Sequence, residues 1–290
     1  MNCAIRSVVR TGINEGMEVV GVRHGYQGLV EGIFTPMDAI SVSGIINRGG
    51  TILYSARSLA YKTPEGFAQA LENLQLAGIE GLVVIGGNGS QTGSLKLHEA
   101  GFPVVGVPST IDNDLAGADF TIGFDTAVNT ALESIDRLRD TATSHDRIFV
   151  IEVMGRSRGF VALQVGIAGG AEVVLLPEMP WKLEDITNTI QTGYRRGKKS
   201  FLIVCAEGAS SGETLARQIE ESTGYETRAT VIGHVQRGGS PSARDRALAS
   251  MLAYFAVKYL VSGVHGVLVG EQKHEITTTP LDEVARLEKP

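Results

Sequence analysis

The chain has 290 residues with a formal net charge of −6, 43% hydrophobic and only 6% aromatic residues. The acidic balance argues against a general nucleic-acid binder, which needs a basic face to neutralise phosphates. No run reaches the about 18 apolar residues that a membrane span requires, and no apolar signal segment opens the sequence. Cys3 and Cys205 form no metal-type spacing and fit two free thiols in a reducing compartment, so a cytoplasmic protein with a mostly aliphatic core is expected.

Residues Asn2–Glu15 read as a helix with Asn2 as its cap and Ala4, Ile5, Val8, Val9 and Ile13 as its apolar face. Strands follow at Glu18–Val22, Leu82–Ile85, Val104–Gly106, Ile148–Val153, Val173–Leu176, Phe201–Ala206 and Val267–Val269. These runs are apolar without alternation, as expected of strands buried on both faces of a parallel sheet. Helical patterns lie between them at Glu65–Ala77, Thr126–Asp140, Asp185–Arg196 and Ser242–Val261. In the clearest, Ala127, Ala131, Ile135 and Leu138 recur on one side and Asp136, Arg137, Arg139 and Asp140 on the other. The βα alternation predicts a doubly wound α/β fold. Such folds usually begin with a strand; this chain begins with a helix, so a first strand is expected to be absent.

Three groups of residues carry chemistry. Leu82–Gly93 (LVVIGGNGSQTG) is a buried strand, a glycine-rich turn and a helix start. It reads as a phosphate cradle on a helix N-terminus or as a plain strand–helix turn; no Walker lysine follows. Pro108–Asp114 (PSTIDND) follows the next strand. Asp112 and Asp114 can divide labour, one accepting a proton and one facing a metal shell, or the loop can be Asx-turn chemistry. Arg57, Arg147, Arg156, Arg228 and Arg237 stand beside glycine turns or strand ends, which in an acidic chain suits a multi-phosphate ligand. His234 and Glu207 can bond a sugar phosphate or serve as turn and capping residues. Trp181 is expected to pack.

Taken in order, Gly86–Ser90 (GGNGS), Thr110–Asp114 (TIDND), Ile135–Asp140 (IDRLRD), Val153–Arg156 (VMGR), Ile167–Glu172 (IAGGAE) and Gly233–Pro241 (GHVQRGGSP) resemble the 6-phosphofructokinase family over nearly the whole chain. The resemblance implies two α/β domains with an active-site cleft between them: a larger nucleotide-binding domain, 1–123 plus 237–290, and a smaller sugar-phosphate-binding domain, 124–236. It implies phosphoryl transfer from ATP, with Mg²⁺, to the 1-hydroxyl of fructose 6-phosphate, a step of glycolysis. Asp112 would be the general base, and Thr110 and Arg156 would stabilise the moving phosphoryl group. Tyr26, Arg57, Gly87, Asn88, Gly89, Ser90 and Gly93 would hold the nucleotide, and Asn88 and Asp114 the metal. Asp114, Met154, Gly155, Glu207, His234 and Arg237 would line the sugar-phosphate site together with the catalytic residues. Arg147 and Arg228 would reach a neighbouring subunit's site in a homotetramer or homodimer, with no nucleic-acid or membrane partner.

Some positions depart from the family's pattern. Asn88 stands where an aspartate near the metal is usual. Ser109 stands where ATP users typically carry glycine and pyrophosphate users lysine, and Gly89 lacks the aspartate of pyrophosphate users, so ATP is favoured. A pyrophosphate-dependent enzyme and a non-catalytic sugar-phosphate-binding subunit are the alternatives. The family opens with a strand and a GGDxPGxN loop, of which Met1-Asn2 matches only the last part; an incomplete start, and a somewhat short C-terminus, are expected. A missing central strand would leave its neighbours' backbone groups unpaired at about 1–3 kcal/mol each if buried. Arg6, Arg10, Arg139, Glu172, Arg196 and Lys198 match an inter-subunit effector site for a nucleoside diphosphate or phosphoenolpyruvate, but Ala39 and Gly44 do not.

Overall fold

A computed structural model describes residues 1–145 and 147–289, with side chains described outside 141–145. In chain order the elements are α1 (Asn2–Asn14), β1 (Val19–Val22), α2 (Tyr26–Glu31), β2 (Phe34–Met37), α3 (Pro64–Leu76), β3 (Leu82–Gly86), α4 (Asn88–Glu99), β4 (Val104–Thr110), β5 (Ile122–Gly123) and α5 (Phe124–His145). There follow β6 (Ile148–Val153), α6 (Phe160–Gly169), β7 (Val173–Leu175), α7 (Leu183–Arg195), β8 (Phe201–Ala206), α8 (Gly212–Thr223), β9 (Thr227–Val231), α9 (Ala243–Val261), β10 (Val267–Gln272), β11 (Glu275–Pro280) and α10 (Leu281–Arg286). The chain divides into two compact units, one of residues 1–110, 114–123 and 240–290, the other of residues 111–113 and 124–239.

The larger unit is built on a sheet ordered β11-β10-β4-β3, with β5 beside the end of β4. The side-chain alternation of β4 and β10 sorts its core. Val105, Val107 and Val269 pack on one face with Leu248, Leu252 and Ala256 of α9 and Ala4 of α1. Val104 and Leu268 pack on the other with Leu74 of α3, Leu97 of α4 and Val284 of α10. The caps are chemical: the Ser242 hydroxyl accepts from Asp245 N–H at 3.2 Å, and Thr63 from Gly66 N–H at 3.1 Å.

The smaller unit carries an all-parallel sheet ordered β7-β8-β6-β9. Ile148, Val150, Ile203 and Cys205 face Ile186 and Ile190 of α7 and Leu215 and Ile219 of α8. Helices α5 and α6 cover the opposite face. Ala127, Ala131 and Ile135 of α5 are fully buried, as their spacing predicts, and Trp181 packs at the edge of the core.

Three expectations need correction. Asn2 does not cap α1, whose cap is Met1. Instead the Asn2 amide donates to the carbonyls of Arg48 and Gly49 at 3.0 Å each and accepts from Ile52 N–H at 2.8 Å, pinning a distant loop. The first strand is not in the parallel sheet: β1 pairs antiparallel with β2, Val19 opposite Met37. Likewise β10, parallel to β4 on one side, is antiparallel to β11 on the other. Pro36 is tolerated in β2 because an edge strand need not donate on its outer side.

Candidate active site

In the larger unit β3 ends at Gly86, Gly87 is the cap, and α4 begins at Asn88 with no acidic residue in its first turn. The free N–H groups there, with Gly89 and Ser90 in the same turn, suit an anion. The turn is held from behind by Gln91. This fully buried side chain donates to the Gly86 carbonyl at 3.1 Å and lies within 3.4 Å of the Val84 and Val107 carbonyls, tying β3 to β4.

Tyr26 stacks on Tyr61 with ring centroids 4.3 Å apart and donates from its hydroxyl to the Ser90 carbonyl at 2.5 Å. Burial pushes its phenol far above the ordinary range. A Cβ at Gly93 would fall 2.5 Å from the Tyr26 ring, so only glycine lets the ring lie against α4. Gly93, expected to cradle phosphate, here seats a ring that bonds the first turn of α4. Arg57 lies exposed in the loop before α3.

Thr110 ends β4, and its carbonyl accepts from the Thr121 hydroxyl at 2.6 Å. The Ser109 hydroxyl is turned toward the Ile122 carbonyl at 3.4 Å. Asp114 follows in the same unit, half-buried.

In the smaller unit the Asp112 side chain is 5% exposed, and its carboxylate lies 3.1 Å from Arg156 Nε, whose side chain is 65% exposed. Unusual backbone lies at Arg156 itself and at Asn113, next to Asp112. Asn113 and Arg156 are non-glycine residues with positive φ, 54° and 55°. Such strain costs about 1–3 kcal/mol per residue and concentrates where a function over-determines the conformation. Gly155 has φ 149°, and a Cβ there would fall 2.6 Å from the Arg158 carbonyl oxygen.

Two side chains hold this turn. Glu207 accepts with one carboxylate oxygen from Gly155 N–H at 3.1 Å and Arg156 N–H at 2.7 Å. Gln236, 1% exposed, accepts from Met154 N–H at 2.8 Å and donates to the Ala127 carbonyl at 3.3 Å. Met154 is buried beneath the turn. His234 and Arg237 stand exposed in the single 3₁₀ turn Gly233–Arg237 that Gln236 anchors. Arg147 and Arg228 meet on one carboxylate, that of Glu226, at 2.9 and 2.6 Å. Of the effector candidates in this unit, Arg139 bonds the carbonyls of Gly169 and Gly170 at the end of α6, and Glu172 pairs with Lys198.

A helix start open to anions, a buried carboxylate paired with an arginine, and further arginines are each a kind of group that phosphoryl transfer uses. The sequence profile of the Phosphofructokinase family matches residues 1–260. This chain belongs to the phosphofructokinase family. It is 56% identical over 292 residues to the ATP-dependent 6-phosphofructokinase 1 of Thermus thermophilus, covering 100% of this chain and 91% of that one. It is 52% identical over 284 residues to the ATP-dependent 6-phosphofructokinase of Bacillus subtilis, covering 98% and 89%. Among solved structures, phosphofructokinase from Saccharomyces cerevisiae superposes with a TM-score of 0.92 at 35% identity, covering 99% of this chain and 43% of that one. A pyrophosphate-dependent phosphofructokinase from Nitrosospira multiformis superposes with a TM-score of 0.89 at 21% identity, covering 99% and 81%, a likeness of fold.

The resemblance read from the motifs is therefore borne out, as is the two-domain α/β fold. The residues that sequence reasoning missed are Gln91 and Gln236. Each is an ordinary glutamine in the sequence and shows its role only through burial.

Proposed function

We propose that this phosphofructokinase transfers the terminal phosphoryl group of ATP to the 1-hydroxyl of fructose 6-phosphate, giving fructose 1,6-bisphosphate. The observation that carries this reading is the Asp112–Arg156 pair. A buried carboxylate held by an exposed guanidinium can take the proton of the attacking hydroxyl, while the same guanidinium meets the charge on the transferring group. Thr110, two residues before the carboxylate in the chain, donates to that group. The nucleotide phosphates rest on the turn of Gly87, Asn88, Gly89 and Ser90, backed by Tyr26 and Gly93, with Arg57 free to approach from its loop. Met154, Gly155, Glu207, His234 and Arg237 receive the sugar phosphate. For Glu207 this leaves its second oxygen, because the first is committed to backbone.

The donor set suits Mg²⁺. Asn88 and Asp114 offer an amide and a carboxylate oxygen. No group of three or more His, Cys, Asp or Glu that could hold a metal occurs among the described residues. Mg²⁺ usually binds through one or two carboxylates, substrate phosphates and water. When bound, the ion neutralises phosphate charge; orientation and proton transfer fall to Thr110, Asp112 and Arg156.

ATP is the donor because the relatives at 52–56% identity are named ATP-dependent, and neither Gly89 nor Ser109 carries a pyrophosphate user's side chain. The enzyme works in the cytoplasm as an oligomer with shared sites, to which Arg147 and Arg228 contribute. Helix α6, apolar but for Gln164, leaves Leu163 43% and Ile167 70% exposed, a face suited to a second copy. Turnover of fructose 6-phosphate with Mg²⁺ and either ATP or pyrophosphate tests the assignment. Turnover with pyrophosphate alone would make pyrophosphate the donor. Binding of fructose 6-phosphate without turnover by either donor would make the chain a binding subunit.

A further inference from the structure

The Arg156 side chain is 65% exposed. A side chain so open to water has many rotamers, and the backbone it springs from limits which of them reach Asp112. That backbone is the turn of residues 155–159, between β6 and α6. Arg158 N–H closes it on the Gly155 carbonyl at 3.0 Å. Glu207 holds its leading end through Gly155 N–H and Arg156 N–H. A second carboxylate holds its trailing end: Glu178 accepts from Gly159 N–H at 2.9 Å. The two carboxylates come from adjoining strands. β7 and β8 run parallel with Leu175 opposite Cys205, and Glu178 and Glu207 follow shortly after these partners.

The surroundings of the trailing end favour that bond. Gly159 is the cap position of α6, which has no side-chain cap and no acidic residue in its first turn. Free amides at a helix start attract negative charge, and Glu178 brings it from outside the helix. A Cβ at Gly159 would fall 2.8 Å from Glu178 Oε2 and 2.7 Å from Leu176 Cδ2, so this approach needs glycine. On the other side, a Cβ at Gly208 would fall 2.3 Å from the Arg156 carbonyl oxygen. The turn is thus wedged between the segments that follow β7 and β8. With φ 55° at Arg156, it persists only while those surroundings over-determine it. Without the Glu178 bond, a carboxylate would fix the leading end alone.

We propose that Glu178 is a positioning residue for phosphoryl transfer, fixing the trailing end of the turn so that the Arg156 guanidinium stays on Asp112. This rests on the reading that Arg156 meets the transferring group. The test measures turnover of fructose 6-phosphate with saturating MgATP by the full chain carrying Glu178→Ala or Glu178→Gln, each with Arg156 intact and with Arg156→Ala. With Arg156 intact, Glu178→Ala should lower kcat about tenfold and leave the KM for ATP unchanged. Glu178→Gln keeps an oxygen for Gly159 N–H and should recover to within about threefold of the parent. Beside Arg156→Ala, the Glu178→Ala change should cost less than about twofold, because the group it positions is gone. Glu178 is exposed, so both variants should fold. A mere cap of α6 would lower the unfolding temperature and leave kcat intact. A kcat within about twofold of the parent in Glu178→Ala, an equal loss in both backgrounds, or no recovery in Glu178→Gln would overturn the proposal. Parent-like turnover in Arg156→Ala alone would instead fell the reading of that arginine, and the proposal with it.

Discussion

Replacing Asp112 with asparagine keeps the side chain's shape and removes its charge. As the proposed base, Asp112 supplies about 10²–10⁴ of the rate, or roughly 3–5 kcal/mol of barrier. Its effect on stability should be small. The freed Arg156 side chain is already 65% exposed and returns to water, so losing the pair costs under about 1 kcal/mol. The reverse change is not equivalent. Arg156→Ala takes the guanidinium from a carboxylate that is 5% exposed, which makes it the more destabilising of the two variants. Steady-state turnover of fructose 6-phosphate with saturating MgATP, run beside thermal unfolding, separates the two variants. Asp112→Asn should lose at least a hundredfold in kcat with an unfolding temperature close to the parent's. Arg156→Ala should lose activity and unfold earlier. Turnover within tenfold of the parent in Asp112→Asn would refute the base assignment.

Other outcomes follow from the same geometry. Gly93→Ala places a methyl 2.5 Å from the Tyr26 ring; displacing that ring should cost about 1–3 kcal/mol in thermal unfolding and raise the KM for ATP more than that for fructose 6-phosphate. Gln236→Leu strips the acceptor from the buried Met154 N–H at about 1–3 kcal/mol, and calorimetry together with a raised KM for fructose 6-phosphate should report it. Burial lowers the Lys289 amine to about 8 from an ordinary 10.5. Between those values the unfolded chain holds the extra proton, so this group's contribution to stability rises with pH across pH 8–10.5 and is smallest below pH 8. Lys289→Met should remove that part of the slope in urea titrations run across the window.

Regular elements were legible wherever one physical signal sufficed. The apolar runs of β4, β6 and β8 and the 3.6-residue spacing of α5 need no knowledge of what they touch. Where a residue's role is fixed by a distant partner, local reading fails. Asn2 has the chemistry of a cap but spends its amide 46 and 47 residues away on Arg48 and Gly49. β1 has the composition of a parallel strand, yet the return of the chain through Pro36 makes it half of an antiparallel pair. In the site, the glycine turn and the Asp112 loop could be located from strand ends, but their local spacing allowed bland turns as readily as catalysis. What the motifs in sequence order carried was the family resemblance. Gln91 and Gln236 escaped both approaches, since only burial marks a glutamine as a brace.

The buried Gln91 side chain also bears on how the larger unit opens. One amide reaches carbonyls on both β3 and β4 from the first turn of α4. The helix start and the two strands behind it therefore share a fastening and should open as one cooperative unit, not piece by piece.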